Sequence, residues 1–151
     1  MYDFLRFLHV LLAIAAIGSN LTYGMWIGWA AREPRQLAFA LRGVKMLDDR
    51  IANPSYVLLL ITGLAMLYVR RIAWTTPWVL AGLILYAVVA VVGLRGYSPV
   101  LRKQIAALES GGPDAPAYQQ LARRGLRLGI VMAVLVVVIV FLMVTKPALW
   151  G

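Results

Sequence analysis

The sequence predicts an all-α integral membrane protein. Four transmembrane helices form an up-down bundle, with both termini outside and two basic cytoplasmic loops carrying interfacial helices. Three observations predict it. Of the 151 residues, 62% are hydrophobic and 14% charged, whereas soluble domains carry about 25% charged residues, and the mean hydropathy is +0.81. Four apolar runs are long enough to cross a bilayer, which takes about 20 residues of helix. Lys and Arg gather in alternate connections between those runs. A domain of this size in water would leave about a third of its chain surface exposed, so lipid is the solvent that accommodates the apolar excess. The chain 1–151 reads as a single four-helix transmembrane domain.

The first span, 4–31, is broken only by Arg6 and His9. The second covers 51–69, "IANPSYVLLLITGLAMLYV", and the third 76–94, "TPWVLAGLILYAVVAVVGL". The fourth is 128–145, "LGIVMAVLVVVIVFLMVT". Asn53-Pro54 and Thr76-Pro77 each pair a capping side chain with a proline at the first helical position, where the missing N–H costs nothing. Lys146-Pro147 stops the fourth helix. Trp26, Trp29, Trp74, Trp78 and Trp150 fit the aromatic belts of a membrane interface. The "AIAA" stretch offers small residues for a signal-peptide cleavage, but the apolar run continues to Ile27 and predicts a retained helix.

Charge sets the orientation. The loop after span one carries Arg32, Arg35, Arg42, Lys45 and Arg50, and the loop after span three carries Arg95, Arg102, Lys103, Arg123, Arg124 and Arg127. The opposite side holds only Arg6, Arg70, Arg71 and Lys146. Eleven basic residues against four place the loops in the cytoplasm of a bacterial inner membrane. Both loops contain amphipathic segments, "PRQLAFALRGVKML" and "SPVLRKQIAALES", of the kind that lie on a lipid surface. Ser98 and Asp114 read as helix caps, and "GGPDAP" as a linker.

Several functions fall away. With no cysteine there is no disulfide, iron–sulfur cluster or thiolate metal site. The net charge of +9 sits at the ends of apolar runs rather than in one stripe, so it reports membrane topology and not nucleic-acid binding. No phosphate-binding loop, paired-carboxylate site or metal motif of usual spacing occurs. Asp48-Asp49-Arg50 reads as a solvated helix start with local ion pairs. No carboxylate is predicted within a span, against a transporter built on a buried acid.

The one histidine, His9, is the residue of interest. Steps of three or four residues lead from it through Ala13, Ala16 and Asn20 to Gly24, or to Tyr23 on a slightly different heading. This small, polar stripe is expected to face the other helices as the packing seam of the bundle, since polar groups in lipid turn inward and small residues let backbones approach. His9 lies within about two turns of the outer surface. Arg6, Met66, Arg70 and Met143 share that outer third with Lys146. Imidazole and thioether are both axial ligands of haem iron, and cations suit its propionates; thioethers also favour Cu(I). Against this stands the simpler reading of His9 as a hydrogen-bonded interfacial residue, with the methionines as packing.

The stretches "FLRFLHVLLAIAAIG", "NPSYVLLLITGL" and "FLMVTKP" together resemble a bacterial family of predicted integral membrane proteins described as a domain of unknown function. The resemblance covers nearly the whole chain and implies four helices with outward termini. That group is distantly similar to the copper-resistance D family and to the haem-associated membrane protoporphyrinogen oxidase family, which share a "LH" near the start of the first helix. In the oxidase family the first-helix histidine is functionally important, which by resemblance singles out His9. That family also relies on a lysine in a later helix, whereas here Lys45 precedes span two and Lys146 ends span four. The expectation is therefore a small inner-membrane protein of unassigned biochemical role, with His9 near the outer surface as the candidate site for haem b or another tetrapyrrole. Axial pairing then needs Met66, Met143, an open position, or a homo-oligomer that brings two His9 together. The alternatives are a non-catalytic accessory subunit and copper handling at the outer face, with His9 as the metal ligand.

Overall fold

The computed structural model describes residues 1–149, so Trp150 lies outside the described residues. Every regular element among them is helical: α1 (Tyr2–Ala30), α2 (Pro34–Leu47), α3 (Asn53–Arg70), α4 (Pro77–Val91), α5 (Ser98–Gly111) and α6 (Pro116–Thr145). Short π-helical turns, Asp48–Ala52 and Val92–Tyr97, join α2 to α3 and α4 to α5 without a break. Among the described residues four helices are thus long and apolar enough to cross a membrane: Tyr2–Ala30, Pro34–Arg70, Pro77–Gly111 and Pro116–Thr145.

Both π turns have the same cause. Proline lacks an N–H and its ring crowds the carbonyl four residues back, so a helix that continues through it must widen or kink. Pro54 crowds Arg50 and Pro99 crowds Arg95, and each of those arginines lies within the π turn. Proline at these positions therefore does not start a new helix. Asn53 and Ser98 likewise carry no capping bond, Thr76 caps α4 without a side-chain hydrogen bond, and Ala115 rather than Asp114 occupies the N-cap of α6.

Continuity makes two helices far longer than the bilayer. At about 1.5 Å per residue, the 37-residue and 35-residue helices exceed 50 Å, against about 30 Å of hydrocarbon. Their excess, α2 and α5, stands beyond the apolar runs at the end where the basic residues gather. There Leu37, Leu41 and Val44 of α2 pack with Leu101 and Leu108 of α5, Tyr118 of α6, and Tyr23 and Ala30 of α1. The apolar face of α2 is thus buried against protein rather than lying on lipid. Arg42 donates from both Nε and Nη2 to Glu109 Oε1, at 3.1 and 2.6 Å, and ties α2 to α5 on the exposed side.

Within the apolar region α1 packs antiparallel on α3, and α4 on α6. At the second pairing the terminal methyl of Met143 occupies the place that a Cβ on Gly82 would take. At the end holding the start of α1 and the end of α6, two cation–π contacts fasten the same pairs. The Arg70 guanidinium lies 4.0 Å from the centroid of the Tyr2 ring, and Lys146 Nζ lies 5.5 Å from that of Trp78.

Candidate functional site

His9 is half-buried between α1 and α3. Its Nδ1 lies 2.9 Å from Thr62 Oγ1. The Thr62 hydroxyl donates its single proton back to the helix, to Leu58 O at 2.8 Å with Leu59 O at 3.1 Å. With the hydroxyl proton on those carbonyls, Oγ1 accepts from the imidazole, and in that tautomer Nδ1 carries the proton and Nε2 the lone pair. Gly63 makes room for the ring, since a Cβ there would stand 3.2 Å from His9 Cε1. A buried threonine, 5% exposed, and a glycine beside it therefore fix the orientation of this histidine.

The seam continues from His9 as a stripe of small residues. Ala13 is half-buried and Ala16 fully buried. Asn20 donates to Tyr56 Oη at 2.5 Å, and Tyr86 Oη donates to Tyr56 O at 2.7 Å, linking α1, α3 and α4. Beyond Asn20 the stripe turns to Tyr23, which is 3% exposed. Gly24 instead faces outward, with nothing within 4 Å of the place a Cβ would occupy, so it takes no part in the packing. About 16 Å of helix separates His9 from Asn20, and the alanines between them leave no continuous polar path.

The other residues of the predicted outer site are dispersed. Met143 is inserted against Gly82, at the α4–α6 contact, while His9 is held at the α1–α3 contact. Met66 is half-buried on α3, one turn beyond Thr62. Arg70 and Lys146 are engaged on aromatic rings, and Arg6 is exposed. Among the described residues no group of three or more His, Cys, Asp or Glu side chains is placed to hold a metal ion.

A second polar centre escapes sequence reasoning. Asp48, expected in solvent, is only 6% exposed. Ser98 Oγ donates to its Oδ2 at 3.0 Å, and Asn53 Nδ2 approaches the same oxygen at 3.4 Å. Lys45 pairs with the neighbouring Asp49 instead. Close by, the Tyr23 ring stacks on Tyr97, with centroids 6.5 Å apart and planes 8° from parallel, and the Tyr23 hydroxyl is buried without a partner. The centre lies where the first π turn faces the start of α5. One sequence signal marks it: Arg50-Ile-Ala-Asn-Pro54 and Arg95-Gly-Tyr-Ser-Pro99 share the pattern Arg-x-x-polar-Pro, and both polar residues turn to Asp48. Removing one partner of a buried charge costs more than neutralising the charge in place. Ser98→Ala is therefore expected to lower stability by about 1–3 kcal/mol, and Asp48→Asn by less. Thermal unfolding of the two variants in detergent checks the order.

Four apolar helices, two of them overrunning the bilayer, and polar groups turned inward define a multi-pass integral membrane protein. The chain matches the model of the family described as "Predicted integral membrane protein (DUF2269)" over residues 3–147, and it belongs to that family. No curated protein and no solved structure matches it.

Proposed function

We propose that this is a tetrapyrrole-binding protein of the bacterial inner membrane, with its termini outside, its basic end in the cytoplasm and its whole chain forming one domain. In this reading His9 Nε2 would hold the iron of haem b. The observation that carries it is the Thr62 clamp. An imidazole that ligates through one nitrogen is held by a hydrogen bond from the other, which sets tautomer, orientation and basicity. Bound haem would supply iron-centred redox or ligand-binding chemistry. The chain's part is to hold the imidazole still and neutral, with Met66 the nearest thioether in sequence register and Arg6 and Arg70 the cations on the same end.

The test is the visible spectrum of protein purified after expression with haem supplied. A Soret band is expected in the wild type and its loss in His9→Ala. Thr62→Val is expected to keep the band but shift the reduction potential or the band position, because it removes only the bond to Nδ1. No Soret band in the wild type ends this reading.

A second reading has its own observation. The contact of His9 with Thr62 and Gly63 also pins α1 to α3, as in an accessory subunit whose histidine serves packing alone. That reading predicts equal effects of His9→Ala on stability with and without haem. Copper handling has less support, since it needs Met143 and His9 to converge and they face different helix pairs. A Met66→Leu/Met143→Leu variant that loses bound copper by elemental analysis would restore it.

A further inference from the structure

At the corner where α1 turns into α2, a cavity of about 170 Å³ is lined by Trp26, Trp29, Glu33, Gln36 and Phe39. We propose that it binds the primary ammonium headgroup of a phospholipid, phosphatidylethanolamine. The site is independent of the His9 reading.

Its chemistry selects a cation. Trp26 and Trp29 form an open corner, with ring centroids 6.0 Å apart and planes tilted by 42°. Aromatic faces of this kind attract ammonium groups through the ring quadrupole, and tryptophan does so best. Glu33 is the one charged residue of the lining, and neither of the ion pairs among the described residues engages it. Another cavity among the described residues has the opposite character, being lined by Arg123, Arg124 and Arg127.

Size and depth narrow the occupant. The volume is below the roughly 300 Å³ at which drug-sized sites begin, so it admits a headgroup and not a larger cofactor. Glu33 and Gln36 offer oxygen acceptors, which a primary ammonium can use and a quaternary one cannot. Trp26 lies one turn beyond Tyr23, which stacks on Tyr97 at the margin of the apolar runs, so the cavity stands at headgroup level. Phe39, on the extension beyond those runs, is 81% exposed, and Trp29 is 66% exposed. Aromatic side chains so far uncovered by protein place lipid, rather than bulk water, at the mouth of the cavity.

The experiment uses the full chain in detergent, with lipids of identical acyl chains added back and the retained lipid read by native mass spectrometry. Phosphatidylethanolamine is expected to be retained over phosphatidylglycerol and phosphatidylcholine. Glu33→Gln and Trp26→Leu are each expected to weaken that retention about fivefold or more, and Trp26→Phe to weaken it less. Circular dichroism verifies that the variants keep their helix content; Glu33 and Trp26 are both surface positions, and Glu33→Gln alone carries the test if Trp26→Leu unfolds. Equal retention of the three lipids would overturn the proposal, because a plain aromatic belt has no headgroup preference. So would phosphatidylcholine retained as well as phosphatidylethanolamine, or soluble ethanolamine binding with no preference among the lipids.

Discussion

A leucine at position 16 is expected to separate α1 from α3, whereas a leucine at position 24 is expected to leave the bundle intact. Both are small residues on the same helix, and only their environments differ. Ala16 is fully buried in the seam. Three added carbons there must push α3 away, at a cost of about 1–3 kcal/mol or more. They would also draw His9 from Thr62 and Asn20 from Tyr56, bonds that depend on the same helix separation. Gly24 has open space around it; a side chain there meets lipid and gains helix propensity over glycine. The midpoint of thermal unfolding in detergent should fall clearly for Ala16→Leu and hold or rise for Gly24→Leu. A fall for both would return Gly24 to the seam.

Leu41→Ala is expected to be the most damaging truncation of the basic end. Leu41 is completely buried in α2, in the cluster that joins α2 to α5, α6 and the end of α1. Removing three carbons from such a site costs about 2–5 kcal/mol, the upper part where the cavity cannot collapse. The surrounding helices are anchored in the bilayer, so the loss should appear as local opening and not as global unfolding. Hydrogen exchange should find α2 amides deprotected in the variant while those of α3 keep their protection. The exposed Arg42–Glu109 pair is too weak to hold α2 alone, since solvent-exposed ion pairs contribute about 0–1 kcal/mol.

The four spans were legible because burial in lipid depends on composition alone, and a run such as 128–145 needs no partner to be read. The inward face of α1 was legible as far as Asn20. A step of three or four residues then leads to Tyr23 or Gly24, and only α3 and the π turns decide between them. Asp48 was illegible for a related reason. A charged triplet reads as solvated, and what buries it is Ser98, fifty residues away. The prolines misled in one respect. Pro54 and Pro99 look like helix starts, yet the chain passes through both by widening, so two segments that read as separate surface helices are extensions of the spans. Sequence gives depth along each helix but not azimuth, so it could not say which helix pair each residue of the outer third would face. Met143 and His9 share an end of the bundle and face different neighbours.

The π turns set the angle at which α2 and α5 meet the spans below them. A π turn is an α-helix holding one surplus residue, and each residue advances a helix by about 100°. Losing one residue from Asp48–Ala52 would straighten the helix and swing the whole of α2 by that angle, carrying Leu37, Leu41 and Val44 out of the cluster they fill. Losing one from Val92–Tyr97 would do the same to Leu101 and Leu108 on α5. Neither deletion alone leaves two matched faces. A one-residue deletion in either turn is therefore expected to open the α2–α5 contact, while the packing of α1 on α3 within the apolar region stays in place.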